Sequence, residues 1–319
     1  MNPLTGIYAA VTAVRNTLFD RGVFSAQKLN QPVVSIGNLS VGGSGKTPFV
    51  IALGELLKAR GIPFDVLSRG YGRKTRGVRV VDPEGKAADF GDEPLLIARR
   101  LQVPVIVGES RYKAGQLAEQ KFAEQTSQPQ LHLLDDGFQH RSLARDFDIV
   151  LLTERDFADT LLPQGRLREP LSSLQRADAI VLPANLSADH PALTQKRIWR
   201  MERNLFLPTP PAKPVVFCGI ARPEQFFAQV RAAGITPAAE IKFRDHHAYD
   251  EDDIVSLVGT RIKQGADGFL TTEKDAINLP PQQDLLYPLA IAQLRLTLDR
   301  PADLVDAILE RIAKPKPRS

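Results

Sequence analysis

Compact runs of apolar residues alternate with amphipathic stretches along most of this chain. The apolar runs are continuous, which is typical of strands buried on both faces of a parallel sheet. Strands are predicted over residues 32–36, 64–68, 103–107, 131–134, 148–152 and 179–182, with helices over 49–60, 93–101 and 112–125. This order of elements predicts an α/β fold with a mostly parallel sheet and flanking helices.

A proline-rich stretch over residues 207–214 interrupts the pattern. Because proline fixes φ and lacks an N–H donor, this stretch cannot continue a helix or a central strand. Beyond it a second, smaller βαβαβ unit is predicted, with strands over 215–218, 239–243 and 268–272 and helices over 224–233 and 251–263. We therefore expect a helical region over 1–30, a first α/β domain over 31–207 and a second α/β domain over 208–319, with a disordered tail from residue 314.

The first 20 residues form an amphipathic pattern of their own. One face of the predicted helix is apolar, and its other face carries polar and small residues. The apolar positions are Leu4, Ile7, Tyr8, Val11, Val14 and Leu18. Two interpretations remain open: a helix that packs on the first domain, or a helix that lies in the interface of a membrane.

Composition narrows the class of protein. Among 319 residues, 43% are hydrophobic and 24% are charged, which is ordinary for a soluble globular chain. The net charge of +4 suits an anionic substrate or an anionic membrane surface, but no arginine-rich run indicates nucleic acid. The single cysteine, Cys218, excludes an intrachain disulfide and fits a cytosolic protein. No signal segment and no apolar run near ~20 residues is present, so a membrane span is not expected.

The most specific motif is a glycine-rich segment over residues 37–48, placed between a predicted strand and a predicted helix. This is the setting of a P-loop, whose backbone N–H groups and helix N-terminus bind a polyphosphate. Lys46 would reach the β- and γ-phosphates, and the Thr47 hydroxyl would bind Mg²⁺. Ser40 stands where the strict pattern has glycine, so a plain strand-to-helix turn is the alternative. The predicted nucleotide-binding residues are Ser40, Val41, Gly42, Gly43, Ser44, Gly45, Lys46 and Thr47.

Carboxylates follow or precede other predicted elements. Asp135 and Asp136 end an apolar strand, where either would lie near the magnesium ion of a P-loop, although Asp-Asp-Gly is also an ordinary turn. Asp92 begins a predicted helix, where it either caps the helix or accepts a proton from the hydroxyl that receives the phosphate. Which role each of these carboxylates has therefore depends on the groups that the fold brings next to it.

Histidines and arginines occur in loops after predicted strands. His246 and His247 lie in the second domain and are candidates to reach across a cleft, to bind a metal, or to lie on the surface without a role. Two basic loops, residues 67–73 and 165–170, could bind an anionic head group through arginine. Solvated turns are the alternative for both. The segment 271–275 is too unlike a guanine-reading motif to indicate guanine specificity.

These segments together resemble the tetraacyldisaccharide 4'-kinase family, the lipid A 4'-kinases of Gram-negative bacteria. The matching segments span most of the chain in the expected order and are residues 35–48, 68–72, 91–94, 134–140, 167–170, 245–247 and 272–276. The resemblance implies a P-loop kinase with two α/β domains. It also implies that the γ-phosphate of ATP passes to the 4'-hydroxyl of a tetraacylated glucosamine disaccharide 1-phosphate, on the cytoplasmic face of the inner membrane, where the N-terminal helix docks.

The resemblance also implies roles for individual residues. Asp92 and His246 would form the base dyad, with His246 preferred to His247 because it directly follows Asp245. Thr47, Asp135 and Asp136 would lie on the Mg²⁺ side, and Lys46 would act on the phosphates. Weaker candidates for contact with the head group are Arg69, Arg111, Gln139 and His140.

Two other functions on the same fold remain alternatives. A P-loop switch or partitioning ATPase usually carries a lysine before the glycine pair, where this chain has Val41. An ATP-dependent carboxylate ligase would form an amide instead of a phosphate ester. Neither nucleic acid nor an obligate protein partner is expected.

Overall fold

The computed structural model describes residues 3–122 and 131–314. Its helices are α1 (Pro3–Asp20), α2 (Lys46–Ala59), α3 (Ala87–Phe90), α4 (Asp92–Leu101), α5 (Arg111–Phe122), α6 (Pro223–Ala232), α7 (Glu251–Gln264), α8 (Glu273–Ala276) and α9 (Pro301–Ala313). Its strands are β1 (Val33–Asn38), β2 (Phe64–Ser68), β3 (Arg79–Val80), β4 (Val105–Val107), β5 (Leu131–Asp135), β6 (Phe147–Leu151), β7 (Ala179–Pro183), β8 (Arg197–Phe206), β9 (Pro214–Cys218), β10 (Ala239–Lys242), β11 (Gly268–Thr272) and β12 (Leu289–Leu298).

The first half of the chain forms a parallel block in the order β7-β6-β1-β5-β2-β4, with β3 antiparallel at its edge. Every residue of β1, β2, β4, β5 and β6 is buried. Apolar clusters cover both faces, which explains why these strands have continuous rather than alternating apolar runs. The predicted α/β fold is confirmed, and the last residues of the helix predicted over 112–125 lie outside the described residues.

The second half forms a smaller parallel block in the order β10-β9-β11. Helices α6 and α7 pack on it, and its core includes Phe217, Phe227 and Phe269. The predicted βαβαβ unit is therefore present. Its first strand, β9, begins at Pro214, the last residue of the proline-rich stretch.

Two long strands that the sequence pattern did not predict join the blocks. The first residues of β8 pair with β7, and its last residues pair antiparallel with β12 from Met201↔Leu298 to Phe206↔Gln293. The first residues of β12 pair with β11 instead. Strand β8 runs parallel to the first block and β12 runs parallel to the second, and the two joining strands pair antiparallel through their last residues. The carboxyl-terminal edges of the two parallel blocks therefore face each other across a cleft.

The chain returns to the first block after β12. Leu304, Val305 and Ile308 of α9 lie in the same apolar cluster as α2, and Arg60 pairs with Asp306 at 2.9 Å. The domain boundary at residue 207 stays a prediction, and α9 shows that the last helix shares the core of the first block. Most of the predicted disordered tail, residues 315–319, lies outside the described part of the chain.

Helix α1 docks through its polar side. Thr5 and Thr12 are its buried residues, and Arg15 and Asn16 bind the fully buried Glu169 at 3.1 and 3.2 Å. Its apolar face points outward instead, with Ile7 61% exposed. Within the described residues, no helix has the length and apolar character needed to cross a membrane.

Candidate active site

The glycine-rich loop follows β1 and leads into α2 at the carboxyl edge of the first block. Gly42 and Gly45 have φ of 99° and 87°, which glycine adopts without strain. The N–H of Val41 donates to the Arg166 carbonyl at 2.8 Å, whereas the side chains of Ser40, Ser44 and Thr47 are buried. All eight predicted nucleotide-binding residues lie in this loop or in the first turn of α2. A loop that leads into a helix N-terminus is the arrangement that binds a phosphate through backbone N–H groups.

Lys46 lies at the centre of a charged group behind this loop. Its Nζ is 3.1 Å from Oδ1 of Asn38 and 3.4 Å from Oδ1 of Asp136. Arg168 binds both carboxylate oxygens of Asp136, at 3.0 and 2.9 Å, and also contacts the Asn38 side chain. Burial alone would raise the pKa of Asp136, but Arg168 and Lys46 lower it to about 2. Asp136 is therefore ionised and paired with two cations.

Asp135 differs from its neighbour because one of its oxygens is unsatisfied. Oδ2 accepts the Ser68 hydroxyl at 3.0 Å, and the buried Oδ1 has no hydrogen-bond partner among the described residues. Burial, Glu93 and Asp136 raise the pKa of Asp135 to about 7. Such a carboxylate fits a cation. Together with Thr47 and the phosphate oxygens of a nucleotide, Asp135 suits Mg²⁺, although in the described ranges no three His, Cys, Asp or Glu side chains are arranged so that they alone could hold a metal ion.

The two blocks meet in a carboxylate–histidine pair. Asp92 begins α4 in the first block, and its Oδ2 lies 2.8 Å from Nδ1 of His246 in the second block. Its Oδ1 accepts the Glu93 N–H at 2.9 Å. The Asp92 side chain is 5% exposed and that of His246 is 32% exposed, so the pair is accessible from the histidine side. The structure thus brings together two residues that are 154 positions apart.

Each member of this pair favours the charged form of the other. Burial alone would raise the pKa of Asp92, but the bond from His246 and the charge of Lys274 lower it. The bond to Asp92 raises the pKa of His246, against the effect of burial. Asp92 is consequently ionised at neutral pH and can accept a hydrogen bond or a proton.

The adjacent histidine, His247, points elsewhere. Its Nε2 lies 2.7 Å from the Asp253 carboxylate, and its ring stacks on Phe243 with 4.7 Å between centroids. The half-buried ring therefore packs on the aromatic residues of the second block. Only His246 of the two faces Asp92, in agreement with the choice that the resemblance implied.

The predicted head-group residues lie near the paired aspartates. The charges of Arg69, Asp135 and Asp136 act on the buried guanidinium of Arg111. Burial and the charges of Arg111, Arg145 and Arg69 lower the pKa of His140 to about 4, so this ring is neutral. Gln139 donates to the Asn38 carbonyl at 2.9 Å, which ties its amide to the end of β1. Arg69 and Arg111 thus make one corner of the cleft basic, with the neutral ring of His140 beside them.

Three residues that the sequence did not assign to the site also lie in it. Arg168, which the sequence placed only in a basic loop, binds Asp136. Arg203 of β8 contacts the Ser44 carbonyl and lies against Gly45. Lys274 of α8 contacts the Asp92–His246 pair. Charge and motif position could have indicated Arg168, but contact with Arg203 or Lys274 depends on the two joining strands.

Comparison with known proteins identifies the family. The sequence profile described as "Tetraacyldisaccharide-1-P 4'-kinase" matches residues 1–313. The tetraacyldisaccharide 4'-kinase of Koribacter versatilis is 47% identical over 324 residues, which cover 98% of this chain and 99% of that protein. The enzyme of the same name from Geobacter metallireducens is 37% identical, with 94% of each chain covered.

A solved structure agrees with these sequence matches. The Aquifex aeolicus protein of this family, described as an "apo" form in complex with ATP, superimposes with a TM-score of 0.80 and 35% sequence identity. The superposition covers 97% of this chain and 98% of that one. Its match over both blocks agrees with the two-block architecture described above. The chain therefore belongs to the tetraacyldisaccharide 4'-kinase family, and it is a kinase.

Proposed function

We propose that the cleft transfers the γ-phosphate of ATP to the 4'-hydroxyl of a tetraacylated glucosamine disaccharide 1-phosphate. The observation that carries the proposal is the Asp92–His246 bond of 2.8 Å, because a carboxylate of the first block held by a histidine of the second could accept the proton of the hydroxyl. The P-loop at the same edge of the first block supplies a site for the donor. The Aquifex aeolicus relative, described with ATP, supports this choice of nucleotide.

The loop and its charged neighbours would stabilise the phosphates. Phosphoryl transfer depends mainly on aligning donor and acceptor and on neutralising the charge of the moving phosphoryl group. The backbone N–H groups of the loop and Lys46 would therefore provide much of the rate enhancement. Arg168 lies beside Lys46 and could exchange Asp136 for a phosphate oxygen, since guanidinium binds both anions in the same geometry. Mg²⁺, held by Thr47 and Asp135 with Asp136 nearby, would neutralise charge on the β- and γ-phosphates.

Asp92 would orient the acceptor hydroxyl and take its proton. The carboxylate is ionised, buried and fixed by two hydrogen bonds, which is the arrangement needed to hold a hydroxyl in one orientation. Approach of the two blocks would exclude water from the reacting phosphate. The basic corner of Arg69 and Arg111, with His140 beside it, would bind the polar head group of the disaccharide.

Because the substrate carries acyl chains and lies in a membrane, the proposal also gives a role to helix α1. Its exposed apolar face would enter the membrane surface while Arg15 and Asn16 hold the helix on Glu169. Arg21 and Lys28 are exposed just beyond the helix and suit an anionic lipid surface. On this proposal the protein acts in the cytoplasm, at the inner face of the inner membrane.

The test of the function is product analysis. The purified protein is incubated with γ-labelled ATP, Mg²⁺ and the lipid disaccharide, and the lipid fraction is separated by chromatography. We expect a labelled sugar phosphate monoester that forms only with the lipid present. Release of labelled phosphate without lipid would indicate a switch ATPase instead, and an amide product would indicate a ligase.

The exposed face of α1 gives a second test. Ile7, Val11 and Val14 are each about 60% exposed, and replacing all three by glutamine keeps helix propensity while removing apolar area. Each side chain contributes about 1 kcal/mol of membrane affinity on the area scale, so we expect vesicle binding roughly a hundredfold weaker. Co-sedimentation with vesicles of phosphatidylethanolamine and phosphatidylglycerol measures the effect.

A matched control lies on α7. Val255 and Ile262 are 65% and 76% exposed on a helix far along the chain, and Val255→Gln with Ile262→Gln removes similar apolar area. We expect this variant to bind vesicles like the wild type. Equal loss in both variants, or no loss in the α1 variant, would refute a membrane role for α1.

A further inference from the structure

The Asp92–His246 pair has a third member on its exposed side. Nζ of Lys274 lies 3.1 Å from Nε2 of His246 and 3.6 Å from Oδ2 of Asp92. The same ammonium is 3.6 Å from Asp245 and 3.8 Å from Glu93. Lys274 is thus the cation at the centre of three carboxylates and one imidazole, and it comes from α8, which the proposed mechanism does not use.

The contact with His246 determines where the imidazole proton lies. An ammonium group donates hydrogen bonds and accepts none, so Nε2 facing Lys274 must carry a lone pair. The proton of the neutral ring is then on Nδ1, where it is donated to Oδ2 of Asp92 at 2.8 Å. A doubly protonated ring would instead place an N–H against the ammonium. The geometry therefore describes an ionised Asp92 and a charged Lys274, with Lys274 opposing the protonation of His246 that Asp92 favours.

We propose that Lys274 is a positioning residue for phosphoryl transfer, which holds His246 as the neutral Nδ1–H tautomer so that Asp92 remains the proton acceptor. This inference rests on the proposed function. In the step it serves, the acceptor O–H bond breaks and its proton passes to Asp92. The acceptor oxygen bonds to the γ-phosphorus, the bond to the β,γ-bridging oxygen breaks, and ADP leaves.

The turn that carries Lys274 also fixes the backbone of His246. The buried Asp275 carboxylate accepts the Gly219 N–H at 2.6 Å and the Tyr249 hydroxyl at 2.9 Å. The Gly219 carbonyl in turn accepts the His246 N–H at 3.1 Å. Glu273, on the other side of Lys274, binds Arg100 of α4 at 2.6 Å. The short helix α8 therefore binds both α4, which carries Asp92, and the loop that carries His246.

The charges around His246 define the expected effect of removing the ammonium. Asp92 and Asp245 favour the imidazolium, and Lys274 opposes protonation. Glu93 lies 3.8 Å from the Lys274 ammonium, and the ring of Tyr71 packs near that of His246 with 5.7 Å between centroids. Without the lysine charge, the His246 pKa rises. A protonated His246 would bind Asp92 as an ion pair and reduce its ability to take the hydroxyl proton.

The decisive experiment measures the imidazole nitrogens of the full-length protein without substrate. Nitrogen-15 NMR of the five histidines, with His246 assigned through His246→Gln, reports tautomer and titration midpoint. We expect a wild-type ring protonated on Nδ1 at neutral pH. In Lys274→Met the midpoint should rise by about one pH unit or more, and Lys274→Arg, which keeps the charge, should return it toward the wild-type value.

Kinetics then connect the tautomer to turnover. We expect Lys274→Met to lower kcat about tenfold at pH 7, with an optimum shifted to higher pH, while KM for ATP stays close to that of the wild type. Lys242→Met removes an exposed lysine of the same block and should match the wild type in both measurements. Lys274→Arg should recover most of kcat.

Two results would overturn the inference. One is a wild-type His246 protonated on Nε2 at neutral pH, and the other is a midpoint that Lys274→Met leaves unchanged. The spectra need no lipid, so they decide the arrangement of Lys274 separately from the reaction. A wild-type protein that phosphorylates no lipid disaccharide would instead refute the proposed function.

Discussion

Lys46→Met is expected to lower kcat for lipid phosphorylation by about a thousandfold, because it removes a fixed cation from the transferring phosphoryl group. The Lys46 ammonium is held at 3.1 Å from Asn38 and 3.4 Å from Asp136. Its position therefore needs little rearrangement when phosphate arrives. Single-turnover transfer from labelled ATP measures the loss.

The folded structure should survive this change. Asp136 keeps its two hydrogen bonds to Arg168 when Lys46 is replaced, so we expect unfolding free energy to change by no more than about 1 kcal/mol. Lys58→Met is the matched control, since it removes a lysine from the last turn of the same helix. Retention of kcat within tenfold of the wild type in Lys46→Met would show that another group neutralises the phosphates.

The first block and its nucleotide loop could be predicted because their signals are local. Continuous apolar runs gave the buried strands, and the carboxyl end of β1 fixed where the glycine-rich loop begins. The same reasoning placed Asp135 and Asp136 at the end of a neighbouring strand. It could not distinguish them, since Asp136 binds Arg168, 32 residues away, whereas Asp135 keeps an unsatisfied oxygen.

The joining strands β8 and β12 could not be predicted from the sequence. Without them, the part of the site that the second block contributes could not be predicted either. In β8 buried and exposed residues alternate, because part of the strand lies outside the parallel block. Without this pair of strands, nothing in the sequence determines which residues of the second block face Asp92. The family resemblance gave His246 a role, but it gave none to Lys274, although the matching segment 272–276 contains it. The contacts of Lys274 exist only because α8 meets α4.

The N-terminal helix shows a different limit. Periodicity identified both of its faces correctly and left open which one docks on the protein. The face that docks is determined by Glu169, which is fully buried and needs cationic partners. Arg15 of α1 and Arg176 are those partners, at 3.1 and 2.7 Å. A buried carboxylate without such partners would be costly, so the polar face is the one held on the domain. The apolar face is consequently left outward.

Asp92→Asn is expected to lower kcat by about a thousandfold, the middle of the range for loss of a general base. The amide oxygen can still accept the Nδ1–H of His246, but the amide cannot take the proton of the sugar hydroxyl. Binding of ATP should be unchanged, since the loop is on a different segment. The unfolding free energy should fall by about 1 to 3 kcal/mol, because the single amide oxygen cannot accept the N–H groups of both His246 and Glu93.

The control for this variant is Asp252→Asn, which removes an exposed carboxylate from the first turn of α7 just as Asp92 lies in the first turn of α4. Any effect of charge at a helix N-terminus is then common to both variants. Only Asp92 has a histidine from the opposite block as its partner, so a loss confined to Asp92→Asn assigns proton transfer to the pair. Near-normal turnover in purified Asp92→Asn would remove that carboxylate from the reaction and leave orientation of the hydroxyl to His246 and Lys274.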